Sequence, residues 1–321
     1  MNFYKDKKIV VTGGCGFIGS HLVEKLVELG SNVTVIDNLF KGNNNNLKSV
    51  SNKIQIYNLD LNNPRVAIDI LIEKDIVFHL ANVIGGRGFI EDYPGDCCQA
   101  FSINENVFRA CLLNKVERLH FASTACVYPN HLQDEYGSKY LLKEEDALLT
   151  NASNMDTIYG WAKLTGELQL KAYYEQYGLK SSIARYVTAY GPREDSTHAI
   201  IALLNRAVNR EDPYTIWGTG RQDRDFTYVS DIVNGSLLLT EKITDATPIN
   251  LGTGVKYTIN KVKDMIFKTC NWKPETIFYD ESRPEGVKSR GLDITKSISL
   301  GWKPKISLEE GIKLTYKELK K

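Results

Sequence analysis

Short runs of consecutive apolar residues recur along the first half of the chain, most of them followed by a stretch whose apolar positions fall three and four apart. KIVVTG leads into FIGSHLVEKLVELG; NVTVIDN, IQIYNLD and DIVFHLAN follow; then come AFSINENVFRACLLN, RLHFAST, a long pattern from Tyr159 to Gly178, and KSSIARYV. Strands apolar at every position predict a sheet covered on both faces, and the helical period between them supplies the covering layers. The pattern therefore predicts an α/β protein, a Rossmann-type doubly wound parallel sheet. After Tyr186 the rhythm breaks into shorter pieces punctuated by Pro and Gly, YGPRED, REDPYTIWGTG, DATPINLGTG and ESRPEG. Such excursions beyond the carboxyl edge of a sheet predict a smaller C-terminal lobe. The expected division is 1–185 for the sheet domain and 186–321 for the lobe, with a segment near 225–252 returning to the sheet.

Composition narrows the function classes. With 321 residues, 42% of them hydrophobic, the chain has ample material for a large core. The 40 basic and 39 acidic residues leave a net charge of +1 and are scattered, so no charged stripe for nucleic acid or a membrane surface is expected. No apolar run approaches the ~20 residues of a membrane span, and MNFYKDKKIVVTGG enters a strand without a leader, so a cytoplasmic protein is expected. The cysteines, Cys15, Cys97, Cys98, Cys111, Cys126 and Cys270, have no paired metal-ligand spacing, and no HExxH occurs. Reduced thiols and no bound metal are the expectation.

The first strand runs into a glycine turn, Gly13, Gly14, Cys15, Gly16, Phe17, Ile18, Gly19, and then a helix. Glycine lets such a turn close and lets backbone N–H groups approach a pyrophosphate at the positive helix end. Asp37 ends the next strand, where its carboxylate suits an adenosine ribose and disfavours a 2′-phosphate, so NAD is expected rather than NADP. Asn38 beside it, Asp60 with Leu61 after IQIYN, and Leu80 with Ala81 after VFH complete the expected cofactor-binding set. Cys15 reads as a small filler in the turn.

Tyr159 and Lys163 form YGWAK, and a spacing of four puts both on one helix face. A neighbouring ammonium is expected to pull the tyrosine pKa down from about 10 toward neutrality, making the phenolate a base for a hydroxyl proton. Thr124, at the carboxyl end of RLHFAST, is the candidate hydroxyl partner, and Lys163 and Tyr159 also count as cofactor contacts.

These segments together, TGGCGFIGSHL, FHLAN, STACVYP, YGWAK, RYVTAYGPR, WGTGRQDRDFTYVSDI, NLGTG and RPEGV followed by LGWKPKISLEEGI, resemble the extended short-chain dehydrogenase/reductases of the nucleotide-sugar epimerase and dehydratase branch over essentially the whole length. The resemblance implies tightly held NAD, a Tyr/Lys acid–base pair with a Ser or Thr partner, a nucleotide-diphosphate sugar oxidised to a transient 4-ketone, and a homodimer through helices near 98–114 and 159–177. In the similar 4,6-dehydratases the threonine is followed by Asp and Glu; here stand Ala125 and Cys126, which disfavours dehydration. The 4-epimerases need only small, inert residues there, and Ala125 complies. GDP-mannose 3,5-epimerases carry a run similar to STACVYP, a GGxGFI loop like Gly85–Ile90, and a phosphate-binding segment like RPEGVKSR. By that resemblance Cys126 is a catalytic acid/base, its thiol pKa lowered by Lys163 or the nicotinamide. That subfamily's partner lysine has no counterpart in YGPREDSTHAII; Arg193, Glu194 and His198 are the residues in its place, His198 read first as ordering its loop. Both epimerase types stay open, the 3,5-type ranked first. GDP-fucose synthases favour NADPH, which Asp37 disfavours. The candidate substrate-binding residues are Gly86, Arg87, Thr124, Thr188, Arg224, Arg283 and Lys288, with Trp217 packing the lobe interface or base pocket.

Overall fold

The structure, a computed structural model, describes residues 2–320. Its strands are β1 (Lys8–Thr12), β2 (Asn32–Asp37), β3 (Gln55–Asn58), β4 (Ile76–His79), β5 (Arg118–Thr124), β6 (Ser181–Tyr186), β7 (Thr188–Tyr190), β8 (Tyr214–Trp217), β9 (Asp223–Tyr228), β10 (Asp245–Leu251), β11 (Lys256–Thr258), β12 (Ile277–Asp280) and β13 (Ser289–Arg290). Seven of them form one sheet in the order β10-β6-β5-β4-β1-β2-β3. All of its pairings are parallel. The order reverses between β1 and β4, and the crevice at such a switch point is where a doubly wound sheet binds its ligands.

Consecutive apolar residues in β1 explain the double layer. Val10 points into a cluster with Val77, Phe121 and Ile183, sealed by Val107, Phe108 and Leu170 of helices Gln99–Leu113 and Ile158–Tyr177. Ile9 and Val11 point the other way, with Val35 and Phe78, onto Leu22, Val23 and Leu26 of helix Phe17–Glu28 and Val233 of helix Val229–Lys242. Each such side chain, fully withdrawn from water, stabilises the sheet by about 1.5–3 kcal/mol.

Helix Val229–Lys242 and β10 bring the chain back to the sheet, β10 alongside β6. Beyond the carboxyl edge, β9 pairs with β7, β11 and β13, and β8 pairs with β12. Around them Tyr190, Leu204, Tyr214, Phe226, Val262, Ile266 and Ile312 form a separate core. In the β9–β13 register Arg224 lies opposite Arg290, which sets two guanidinium groups side by side at the mouth of the crevice. No helix of the described residues is long and apolar enough to cross a membrane.

Candidate active site

The glycine turn is built by close approach. Gly13 has φ +70°, and a Cβ there would stand 2.8 Å from the Ala81 nitrogen, so only glycine lets β1 and β4 end together. Asp37 closes the turn from β2: its Oδ2 accepts from the Cys15 N–H at 2.9 Å and its Oδ1 from Leu39 N–H at 2.8 Å. Cys15 itself is buried. Gly13, Gly16, Phe17, Ile18, Gly19, Asp37, Asn38, Asp60, Leu61, Leu80 and Ala81 all line one cleft of about 760 Å³. The same cleft is lined by Thr124, Cys126, Tyr159 and Lys163, and by Gly86, Arg87, Thr188 and Arg224 from the candidate substrate set. One continuous space thus joins the glycine turn to the candidate catalytic residues.

Thr124 ends β5, and its Oγ1 accepts from the Cys126 N–H at 3.2 Å, capping the short turn Ala125–Val127. That bond uses an oxygen lone pair and leaves the hydroxyl proton free to favour the charged form of a neighbour, the Tyr159 phenol or the Cys126 thiol. Helix Ile158–Tyr177 is started by the Thr157 hydroxyl, which accepts from Gly160 N–H at 3.1 Å. Gly160 lies so close to the Cys126 carbonyl that a Cβ would collide with it. The helix therefore presses its first turn against the 124–127 turn and brings Tyr159 beside Thr124 and Cys126. Lys163, one turn on, lies over the Phe121 ring with Nζ 4.6 Å from its centroid.

Behind this wall Glu167 of the same helix holds Arg185 of β6 at 2.6 Å and accepts from Ser123 Oγ, the residue before Thr124. Arg185 also donates to the Glu144 carbonyl at 2.6 Å and to the Tyr128 hydroxyl at 3.2 Å. With both partners almost fully buried, this network fixes helix, β5 and β6 relative to one another.

Two electrostatic expectations are corrected. Burial pushes the Tyr159 phenol up, with the Cys126 thiol adding to the rise and the Thr124 hydroxyl opposing it; burial lowers Lys163 to about 7. Each charged form is penalised where it sits, and the groups acting on the phenol are Thr124, Cys126 and Cys97, not the lysine. The Cys126 thiol is likewise raised by burial, and the cation that draws it down is Arg290 rather than Lys163. Arg290 Nη1 donates to Cys126 Sγ at 3.3 Å.

Arg290 was not singled out from the sequence, although it is the final residue of RPEGVKSR. The two residues taken from that segment lie elsewhere. Lys288 turns outward to Asp134 at 3.0 Å, and Arg283, more than half exposed, pairs with Asp280 at 3.7 Å and lies over the Trp217 ring; neither is among the cleft-lining residues, whereas Trp217 and Arg290 are. Strand alternation would put Lys288 on the same face as Arg290 two residues on, but β13 begins only at Ser289, so Lys288 is not held in that pattern. Arg224 donates to the Asp223 and Glu285 carbonyls at 2.7 and 3.1 Å and is lowered to about 10, first by burial and then by Arg290.

The GGRGFI segment is not a loop throughout: a helix runs Arg87–Asp92 with Gly86 at its N-cap. Arg87 donates to Asp156 at 2.7 Å and pairs with Glu91 at 2.5 Å. Of the residues in place of a lysine, Arg193 pairs with Glu24 at 2.9 Å, and His198 stands 3.4 Å from Glu194, whose carboxyl burial raises. All three line the cleft. Among the described residues no group of three His, Cys, Asp or Glu side chains is placed to hold a metal ion.

Known proteins resemble this chain in sequence and in fold. The model of the NAD dependent epimerase/dehydratase family matches residues 9–252. A putative UDP-glucose 4-epimerase of Methanocaldococcus jannaschii is 34% identical over 95% of this chain and 96% of its own. The GDP-mannose 3,5-epimerase of Arabidopsis thaliana is 30% identical over 97% of this chain and 82% of its own. Among solved structures, a UDP-glucose 4-epimerase of Thermotoga maritima with UDP-glucose superposes with a TM-score of 0.86 at 31% identity, covering 98% of each chain.

Proposed function

The chain belongs to the NAD dependent epimerase/dehydratase family, and from that premise we propose that it epimerises a nucleotide-diphosphate sugar through a transient 4-keto sugar, with Cys126 exchanging a proton at a carbon next to the ketone. NAD, when bound, would supply the hydride chemistry at C4, in both directions. Gly13, Gly16 and Gly19 of the turn, with Asp37, would hold it, a reading supported by their all lining the cleft. In this reading Tyr159 takes the C4 hydroxyl proton, Thr124 steadies the same oxygen, and Lys163, one helical turn on, faces the cofactor in the same cleft. A ketone at C4 acidifies the protons at C3 and C5. Cys126 lines the same cleft, beside Tyr159, which supports its acting on such a proton. Arg224, which lines the same cleft, offers a guanidinium to diphosphate oxygens.

The observation that carries the proton-exchange reading is the Arg290–Cys126 contact at 3.3 Å, a cation on a thiol in the wall that holds Thr124 and Tyr159. A GDP-sugar 3,5-epimerase is the matching specific activity, supported by the Arabidopsis relative. A plain UDP-sugar 4-epimerase, of the UDP-glucose or UDP-glucuronate type, is favoured instead by the methyl group of Ala125 and by the 34% identical relative. Incubation with GDP-mannose, UDP-glucose and UDP-glucuronate in D₂O, read by NMR, separates them. Deuterium at C3 or C5 supports the first, and inversion at C4 without deuterium supports the second. If none of these sugars is altered and none binds, the proposed function is wrong.

A further inference from the structure

Asp156 stands three residues before Tyr159 and one before the helix cap Thr157. Its side chain is fully buried, at 0% exposure, and its two oxygens are divided between two arginines. Oδ1 accepts from Arg87 Nη1 at 2.7 Å and Oδ2 from Arg290 Nη2 at 2.7 Å. Arg290 spends its remaining nitrogens on Cys126 Sγ, at 3.3 Å, and on Gln133 Oε1, at 2.6 Å. Gln133 is itself buried and tied to the Tyr128 and Pro129 carbonyls at 3.1 and 3.2 Å. The guanidinium facing the thiol is thus aimed by two fixed acceptors. Only one of them, Asp156, carries charge.

We propose that Asp156 is a positioning residue for Cys126: its carboxylate locks the Arg290 guanidinium against Sγ, ties the Arg87–Asp92 helix to that guanidinium, and offsets the arginines' charge at the thiol. The inference rests on the proposed role of Cys126 for its purpose, but its geometry does not. Three separate chain segments meet on one carboxylate: the helix after Gly86, the start of the Tyr159 helix, and β13 of the lobe. Removing one member of such a buried set leaves an uncompensated charge.

The groups that face the thiol have assigned signs. Arg290 from β13, Arg87 from its helix and the Thr124 hydroxyl from β5 favour the thiolate, while burial and Asp156 favour the thiol. Tyr159, whose phenol the Cys126 thiol raises, and Cys97, which packs with Tyr159, complete the surroundings. Asp156 thereby keeps Cys126 a proton donor in a site that holds two cations beside it.

The test is the pH dependence of Cys126 alkylation by iodoacetamide in the full-length, NAD-bound protein, followed by mass spectrometry of the Cys126 peptide. Asp156→Asn keeps the shape and one acceptor but removes the negative charge, so the midpoint of the alkylation profile falls by roughly one pH unit. A midpoint that stays or rises, even with faster alkylation at all pH values, overturns the proposal, because loosened packing changes access and not the midpoint. If Asp156→Asn does not fold, Arg87→Gln removes one cation while Asp156 keeps Arg290, and the midpoint must rise; one that stays or falls overturns it. The readout is thiol titration, so it stands or fails separately from any proton exchange on a sugar.

Discussion

Tyr159 sits in a wall that resists its charged form, with burial raising its phenol while Thr124 is the one hydroxyl holding it down. Its proposed work as a base therefore depends on positive charge that the bound cofactor would bring to the cleft. Tyr159→Phe removes the proton acceptor and keeps the ring. Turnover is expected to fall by about 10²–10⁴-fold, with NAD content unchanged on denaturing the protein and measuring the released cofactor; turnover near the wild-type rate would contradict the role. Lys163 shows the opposite strain. Its pKa of about 7, against 10.5 for a free lysine, is caused by burial. Below pH 7 the ammonium is charged in both folded and unfolded chains and its burial penalty is fully present; between about 7 and 10.5 the unfolded chain binds more protons, so stability rises with pH. Lys163→Met is accordingly expected to raise stability at pH 6–7 by an amount on the order of a few kcal/mol, an advantage that shrinks toward pH 10 in denaturant titrations. An advantage independent of pH would contradict the burial of that charge.

At the scale of elements, helix Ile158–Tyr177 joins chemistry to scaffold. Its first turn carries Tyr159, its second Lys163, and its third Glu167, which grips Arg185 of β6. Glu167→Gln leaves the buried guanidinium without its counter-charge, and a loss of about 3–5 kcal/mol in unfolding free energy is expected; a loss below ~1 kcal/mol, the size of an exposed pair, would show the network to be unimportant. This helix and the strands around it were legible in the sequence because period 3.6, continuous apolar runs and the glycine turn are local signals. The GGRGFI segment was read as a loop because its glycines mask a short helix that begins at Arg87. Asp156 and Arg290 were not legible at all as partners. Their contact spans 134 residues, and that of Arg290 with Cys126 spans 164; only the parallel register of β9 with β13 brings Arg290 to the crevice. The pKa directions of Tyr159 and Cys126 were misjudged for a related reason, since helical spacing gives proximity but not burial.

At the scale of the whole molecule, a sheet that binds at its carboxyl edge and a lobe that brings Arg224 and Arg290 to that edge enclose one cleft. Asp37, buried at the end of β2 and bonded to the turn's backbone, is the residue proposed to meet the adenosine end. NAD at a hundred times its dissociation constant is expected to stabilise the fold by about 2.7 kcal/mol, read as a raised Tm, whereas NADP at the same concentration is expected to give no rise; an equal rise with NADP would contradict the assigned role of Asp37. The claim on which everything else depends is that this cleft makes a 4-ketone and lets Cys126 move a proton beside it. The most direct measurement is deuterium incorporation at C3 and C5 of the turned-over nucleotide sugar in D₂O, for the wild-type chain and for Cys126→Ala. The expected result is deuterium at one or both carbons with the wild type and little or none with the variant, while the variant still transfers hydride at C4. Epimerised sugar free of deuterium from the wild type, or equal labelling by Cys126→Ala, would contradict it.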